Sequence, residues 1–267
     1  MKIAAIQMVS TTSVERNLDT ARALVGRAAS EGAELAVLPE YFCLMGRSDR
    51  DKLAVAETFG DGPIQSALAD AARRHRLWLV GGTLPLASGD DGRVMNANLV
   101  FSPEGETVAR YDKIHLFRYD NGREQYDEGR TLKAGGTPVA FAAGEWRVGL
   151  SVCYDLRFPE LYRALMQPPC DLLCVPSAFT YPTGLAHWEV LLRARAIENQ
   201  CYVVAAAQGG RHENGRRTFG HSLVVDPWGD VVAMLPEGEG VITAELKRER
   251  IAEVRTQLPA LEHRRSF

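Results

Sequence analysis

The stretch Val148-Gly149-Leu150-Ser151-Val152-Cys153-Tyr154-Asp155-Leu156-Arg157-Phe158-Pro159-Glu160 changes character at its midpoint. Residues 148–152 are apolar or small and suit a buried strand. Pro159 suits the start of a helix, and residues 158–166 read as helical. Cys153 falls on the turn between the two. Reactive side chains at strand ends project into a crevice above a sheet in open α/β folds. The strand–turn–helix setting resembles a nucleophile elbow, although the glycine-serine motif itself is absent.

Strands and helices alternate on both sides of this stretch. Residues 3–8 form an apolar strand. Thr12 and Glu15 have the spacing of a capping box. Leu18, Ala21, Val25 and Ala28 then follow helical periodicity, and Gly32 ends the run. Residues 35–38 form a buried strand that stops at Pro39-Glu40. A helix is predicted over 64–75 and a strand over 77–80. Strands 98–101 and 107–111 flank the turn Ser102-Pro103-Glu104-Gly105. Strand 172–175, helix 186–199 and strand 202–207 follow. Strands 223–226 and 231–235 flank the turn Asp226-Pro227-Trp228-Gly229. A strand over 241–246 and a helix from about Glu249 complete the chain. This mixture of strand–helix units and hairpins argues against a pure eightfold barrel and for layered sheets covered by helices. No charge run, low-complexity stretch or linker divides the chain, so one α/β domain over residues 1–267 is expected.

Composition narrows the function. The chain has 267 residues, 46% of them apolar, which is enough for a substantial core. A formal net charge of -3 gives no reason to expect nucleic acid or anionic membrane as a partner. No run approaches the ~20 apolar residues of a membrane span. The N-terminal residues lack the features of a signal peptide and read as a strand, so a cytosolic protein is expected. Five cysteines in a long chain fit reduced thiols better than a disulfide framework. The histidines show no HExxH pattern, and Cys170 and Cys174 have no second ligand pair, so no metal site is expected. A P-loop and a GxGxxG after a strand are both missing, and no cofactor is implied.

Three reactive residues follow apolar strands: Glu40 after 35–38, Lys113 after 107–111 and Cys153 after 148–152. A carboxylate can take the proton of a thiol as it attacks, then return it to a departing amine. An ammonium can stabilise the oxyanion, with the Tyr154 backbone N–H as a second donor. Each residue also has an ordinary structural role open to it: a small buried hydrophobe for the cysteine, a cap partner for Glu40, a solvated charge for Lys113. Cys153 stands out because Asp155 and Arg157 follow it, and both are costly near a core unless paired or functional. Cys170, Cys174 and Cys201 read as core or strand-end residues. Cys43, close to Glu40, also reads as core. A cysteine–histidine hydrolase using His115, His187 or His221 as base is the competing arrangement.

Leu38-Pro39-Glu40, Tyr111-Asp112-Lys113-Ile114-His115-Leu116-Phe117 and Cys153-Tyr154-Asp155-Leu156-Arg157-Phe158-Pro159-Glu160 resemble, in order, the three signatures of the nitrilase superfamily of carbon–nitrogen hydrolases. The resemblance covers nearly the whole chain. It implies a four-layer α-β-β-α sandwich, a homodimer or larger homo-oligomer, and a thioester acyl-enzyme. It also implies roles: Glu40 as general base, Lys113 as oxyanion stabiliser, Cys153 as nucleophile. A further glutamate supports the lysine, matched here by Glu128, with Glu124 a weaker candidate. True nitrilases carry Cys-Trp-Glu where this chain has Cys153-Tyr154-Asp155. The segments 186–198, 200–208 and 220–229 resemble the Nit branch. That branch implies a small-molecule amide substrate, the 2-oxoglutaramyl amide of deaminated glutathione, with 2-oxoglutaramate or a carbamoyl compound as the alternatives. The oxoacid end of such a substrate suits a guanidinium, and Arg157 is the candidate, set against an ion pair with Asp155 or Glu160. Tyr154, Phe179 and Thr183 are further candidates for lining the pocket, the last two from the loop after strand 172–175. His187 and Trp188 read as packing residues at a helix start. Arg193 and Arg195 lie on a helix expected to face a subunit interface.

Overall fold

The computed structural model describes residues 1–90, 92–122 and 125–265. Its helices are α1 (Val14–Ser30), α2 (Asp51–Ala54), α3 (Pro63–His75), α4 (Pro159–Leu165), α5 (Tyr181–Asn199) and α6 (Arg248–Gln257). Two mixed sheets dominate. The first has eight strands, with Lys2–Gln7 next to its edge, paired in parallel with Leu35–Val37 and antiparallel with the edge strand Gly240–Glu245. The second has six, with Trp146–Leu150, Leu172–Cys174 and Tyr202–Ala205 parallel at its centre.

The period-two alternation of a strand explains the layering. Ile3, Ala5, Leu35 and Val37 point to one face of the first sheet and join a core with Val148, Leu150 and Val203 of the second. Their neighbours Ala4, Ile6, Ala36 and Leu38 point to the other face and meet Leu18, Ala21 and Val25 of α1 and Ile64, Leu68 and Ala72 of α3. On the far side of the second sheet, Tyr162 of α4 and Trp188, Leu192 and Ala196 of α5 complete the packing. The result is the four-layer α-β-β-α sandwich. No helix among the described residues is long and apolar enough to cross a membrane.

The structure corrects several local expectations. The cap of α1 is Ser13, whose side chain accepts from the Arg16 amide, and not Thr12; the Thr12 hydroxyl instead donates to Glu213. Helix α5 begins at Tyr181, so Thr183 lies in its first turn and not in a loop. Pro182 and Gly184 hide that start in the sequence. Proline is tolerated in the first turn of a helix, and a Cβ on Gly184 would meet the Phe219 side chain at 2.2 Å, so packing demands the glycine. The strand expected over 98–101 runs from Val94 to Phe101, although it contains Asn96 and Asn98. A hairpin of Arg118–Asp120 with Gln125–Asp127 had no clear sequence signal.

The site forms where the strand ends of the two sheets meet. Gln208 bridges in parallel to Met8, and the Gly209 amide donates to the Met8 carbonyl. The Gln208 side chain donates to the Glu40 carbonyl and to Ser10 Oγ, joining the loop after the first sheet to the end of the second.

Candidate active site

Glu40 follows the strand Leu35–Val37 and is almost wholly buried. Gly82 lets its loop approach the next one: a Cβ there would lie 2.2 Å from the Pro39 carbonyl oxygen. Both carboxylate oxygens are engaged. Oε1 accepts from Lys113 Nζ at 2.9 Å and from Asn96 Nδ2 at 2.9 Å, and Oε2 accepts from the Ala178 amide at 3.0 Å.

Lys113 follows the strand Thr107–Asp112 and is 1% exposed. Its ammonium also donates to Glu128 Oε1 at 3.0 Å and Oε2 at 2.8 Å. Burial opposes its charge, but Glu128 and Glu40 outweigh burial and hold the pKa well above the usual lysine value. Glu128 sits in the short 3-10 turn Glu128–Arg130. Burial favours its neutral form, yet Lys113, the Phe117 amide and the Tyr41 hydroxyl together lower its pKa. The cluster is therefore two carboxyl groups around one lysine, in which Lys113 is held charged and Glu128 is held ionised.

Cys153 opens the 3-10 helix Cys153–Arg157 at φ +50°. A non-glycine residue in the left-handed region is strained, and such strain concentrates at functional turns. Burial, then the charge of Glu40, pushes its thiol pKa well up, against the opposing pull of Lys113. The protonated thiol is thereby favoured over the thiolate. The Tyr154 amide lies in the first turn of this helix, where backbone N–H groups have no intrahelical acceptor.

Asp155 joins the two motifs. Its buried carboxylate accepts from the Tyr111 hydroxyl at 2.6 Å, the Val152 amide at 2.8 Å and the His115 amide at 3.0 Å. The segment carrying Lys113 and the turn carrying Cys153 are thereby held to one another.

Glu40, Glu128, Cys153, Tyr154, Arg157, Phe179 and Thr183 line one cleft of about 320 Å³, and Lys113 lies buried behind its two carboxylates. Arg157 makes no ion pair with Asp155 or Glu160, which corrects that alternative. Asp155 is already occupied, and the guanidinium lies 3.1 Å from His187 Nδ1, over the rings of Tyr154 and Phe179. Phe179 is fixed by Trp188, ring centroids 4.8 Å apart, and Thr183 by a 2.7 Å hydroxyl contact with Thr180.

Other expectations change too. Trp188 does pack, but His187 is exposed and reaches Arg157. On the helix expected to face a subunit interface, Arg195 itself is buried and donates to the Leu156 carbonyl. None of the described histidines lines the cleft, and His115 is turned away to Asp155, so the cysteine–histidine arrangement lacks its base. Cys43, Cys174 and Cys201 are buried, and burial pushes the Cys43 thiol up to about 12. Glu124 lies outside the described residues. Among the described residues, no three His, Cys, Asp or Glu side chains converge as a metal site.

Sequence reasoning missed Asn96, Tyr41 and Arg216. The available signals were two asparagines inside an apolar strand and a tyrosine directly after Glu40.

A model of the carbon–nitrogen hydrolase family matches residues 2–256. The chain belongs to that family. It is 41% identical over 265 residues to a Synechocystis protein named deaminated glutathione amidase, covering 98% of this chain and 97% of that one. The human protein of the same name is 42% identical over 270 residues, covering 98% of this chain and 82% of that one. The crystal structure of yeast Nit3, described as a member of branch 10 of the nitrilase superfamily, superimposes with a TM-score of 0.88 at 31% identity, covering 97% and 94% of the two chains. This carbon–nitrogen hydrolase is thus an enzyme of the nitrilase superfamily, Nit branch, acting on amides.

The depressed pKa of Glu128 has a consequence for stability. A carboxylate of lowered folded pKa stabilises fully above its unfolded value of about 4.3, and that contribution is lost as pH falls toward the folded value. Glu128→Gln is therefore expected to flatten the fall in Tm between about pH 5 and pH 3, measured by thermal melts. An unchanged acid limb would show that Glu128 is not ionically engaged.

Proposed function

We propose that this hydrolase cleaves the 2-oxoglutaramyl amide of deaminated glutathione, giving 2-oxoglutarate and cysteinylglycine through a thioester on Cys153. The observation that carries the reading is the meeting of Glu40, Lys113 and Glu128 at the cleft of Cys153, with Arg157 beside it.

The mechanism follows from the electrostatics. Glu40 accepts the thiol proton as sulfur attacks the amide carbonyl. Lys113 and the Tyr154 amide stabilise the oxyanion; one such donor is worth about 10²–10³ in kcat. Protonated Glu40 then gives its proton to the departing amine. It next takes a proton from the water that attacks the thioester and returns it to the departing sulfur, so that the product leaves as a carboxylic acid and the Cys153 thiol and Glu40 carboxylate are restored. Glu128 keeps Lys113 charged and in place. Arg157 binds the oxoacid carboxylate, its guanidinium backed by the Tyr154 and Phe179 rings.

The test is 2-oxoglutarate release from deaminated glutathione and, separately, from 2-oxoglutaramate. Wild type is expected to prefer deaminated glutathione. Arg157→Met is expected to raise KM for both about 10- to 100-fold, the value of a charge-assisted hydrogen-bonded pair. Preference for 2-oxoglutaramate would reassign the substrate, and an unaffected KM would remove Arg157 from it.

A cytosolic homodimer is part of this reading. Leu185, Val190 and Ile197 of α5 and Trp228 next to it are exposed, and such apolar groups favour a second copy. Val190→Glu is expected to halve the mass seen in sedimentation velocity; an unchanged mass would place any contact elsewhere.

A further inference from the structure

A second cavity of about 480 Å³ adjoins the catalytic cleft, and Tyr41 and Arg216 line both. Its remaining wall is largely apolar, with Leu44, Met45, Met95 and Leu132. Two cations enter it without adequate neutralisation. The Lys52 side chain, on α2, is 14% exposed, and its only carboxylate within ion-pair reach among the described residues is Asp49, at 4.0 Å and itself 58% exposed. Its ammonium lies 5.2 Å from the Tyr41 ring centroid. Burial lowers its pKa, Arg216 and Lys113 act the same way, and Asp49 and Glu128 offset this only in part, so a bound anion would stabilise the charged form. Arg216 lies over the Tyr126 ring at 4.8 Å, with Met45 Sδ 3.7 Å from Nη1. Among the described residues no carboxylate pairs with it.

An apolar-walled space with cations inside it suits a short chain ending in an anion. Arg157 lines the catalytic cleft and not this cavity. Two separate cationic anchors thus flank the shared wall, one beside Cys153 and one beyond Tyr41. The chemistry proposed above has a matching asymmetry: deaminated glutathione carries a carboxylate at each end, whereas 2-oxoglutaramate has one only, on the acyl side.

We propose that the second cavity is the leaving-group subsite, in which Lys52 and Arg216 hold the terminal carboxylate of the dipeptide amine. This rests on the substrate reading above. Lys52 and Arg216 are then specificity residues, and discrimination between the two oxoacid amides resides in this cavity.

The experiment compares kcat/KM for deaminated glutathione, its C-terminal carboxamide and 2-oxoglutaramate in wild type, Lys52→Met and Lys52→Arg. Lys52→Met is expected to lower the preference for deaminated glutathione over 2-oxoglutaramate about tenfold, mainly through KM, with Lys52→Arg restoring most of it. Wild type is expected to lose a similar factor on the carboxamide, and Lys52→Met to add little to that loss, because both changes remove one interaction. If Lys52→Met leaves the preference intact, or the carboxamide is cleaved as well as the acid, the subsite is wrong while the substrate stands. If wild type cleaves 2-oxoglutaramate but not deaminated glutathione, the substrate reading fails and takes the subsite with it.

Discussion

Cys153→Ala is expected to fold as the wild type does and to release no 2-oxoglutarate above background, a loss of about 10⁴-fold or more. The sulfur lines a cleft at the edge of the core. The backbone anchor of the residue, its amide to the Pro176 carbonyl at 2.9 Å, survives the change. Stability should therefore move by no more than about 1 kcal/mol. The decisive pair of measurements is product release and the melting curve. Retained activity with the sulfur gone would sink the thioester mechanism, and with it every role assigned to Glu40 and Lys113.

Lys113→Ala has the opposite profile, damaging both chemistry and fold. It removes the cation proposed for the oxyanion and leaves Glu40 and Glu128 facing a buried gap. Breaking a buried ion pair by deleting one partner costs about 3–5 kcal/mol, because the remaining charge is left uncompensated. The pH dependence should also reverse. In the wild type the depressed carboxylate of Glu128 stabilises at higher pH. In the variant the orphaned carboxylates would have raised folded pKa values, so the folded state binds protons more readily and the defect shrinks as pH falls. Denaturant melts at pH 8 and pH 5 measure this. A defect independent of pH would mean that the loss is one of packing volume and not of charge.

These two outcomes separate what the site residues do chemically from what holds them. Asp155 belongs to the second group: it contacts neither Glu40 nor Glu128 but ties Tyr111 and His115 to the Cys153 turn.

Much of the layered fold was legible because strand alternation and helical periodicity are local properties. Ile3 and Ala5 separate from Ala4 and Ile6 by pleat alone, and Leu18, Ala21, Val25 and Ala28 are all buried on α1. The start of α5 was not legible, since Pro182 and Gly184 disfavour a helix locally and are accepted only through first-turn geometry and contact with Phe219. The cap of α1 failed for a related reason: Thr12 is claimed by Glu213, far along the chain.

The sequence by itself determined that Glu40, Lys113 and Cys153 end apolar strands, and its resemblance to a family named their roles and that of Glu128. Only the tertiary structure decided that Glu40 and Glu128 share one ammonium, that Asp155 is spent on Tyr111 and His115 and so leaves Arg157 to the cleft, and that a second cationic cavity lies past Tyr41. The physical reason is the same throughout. Burial, pairing and charge balance depend on which distant side chains meet, and spacing along the chain carries no record of those meetings.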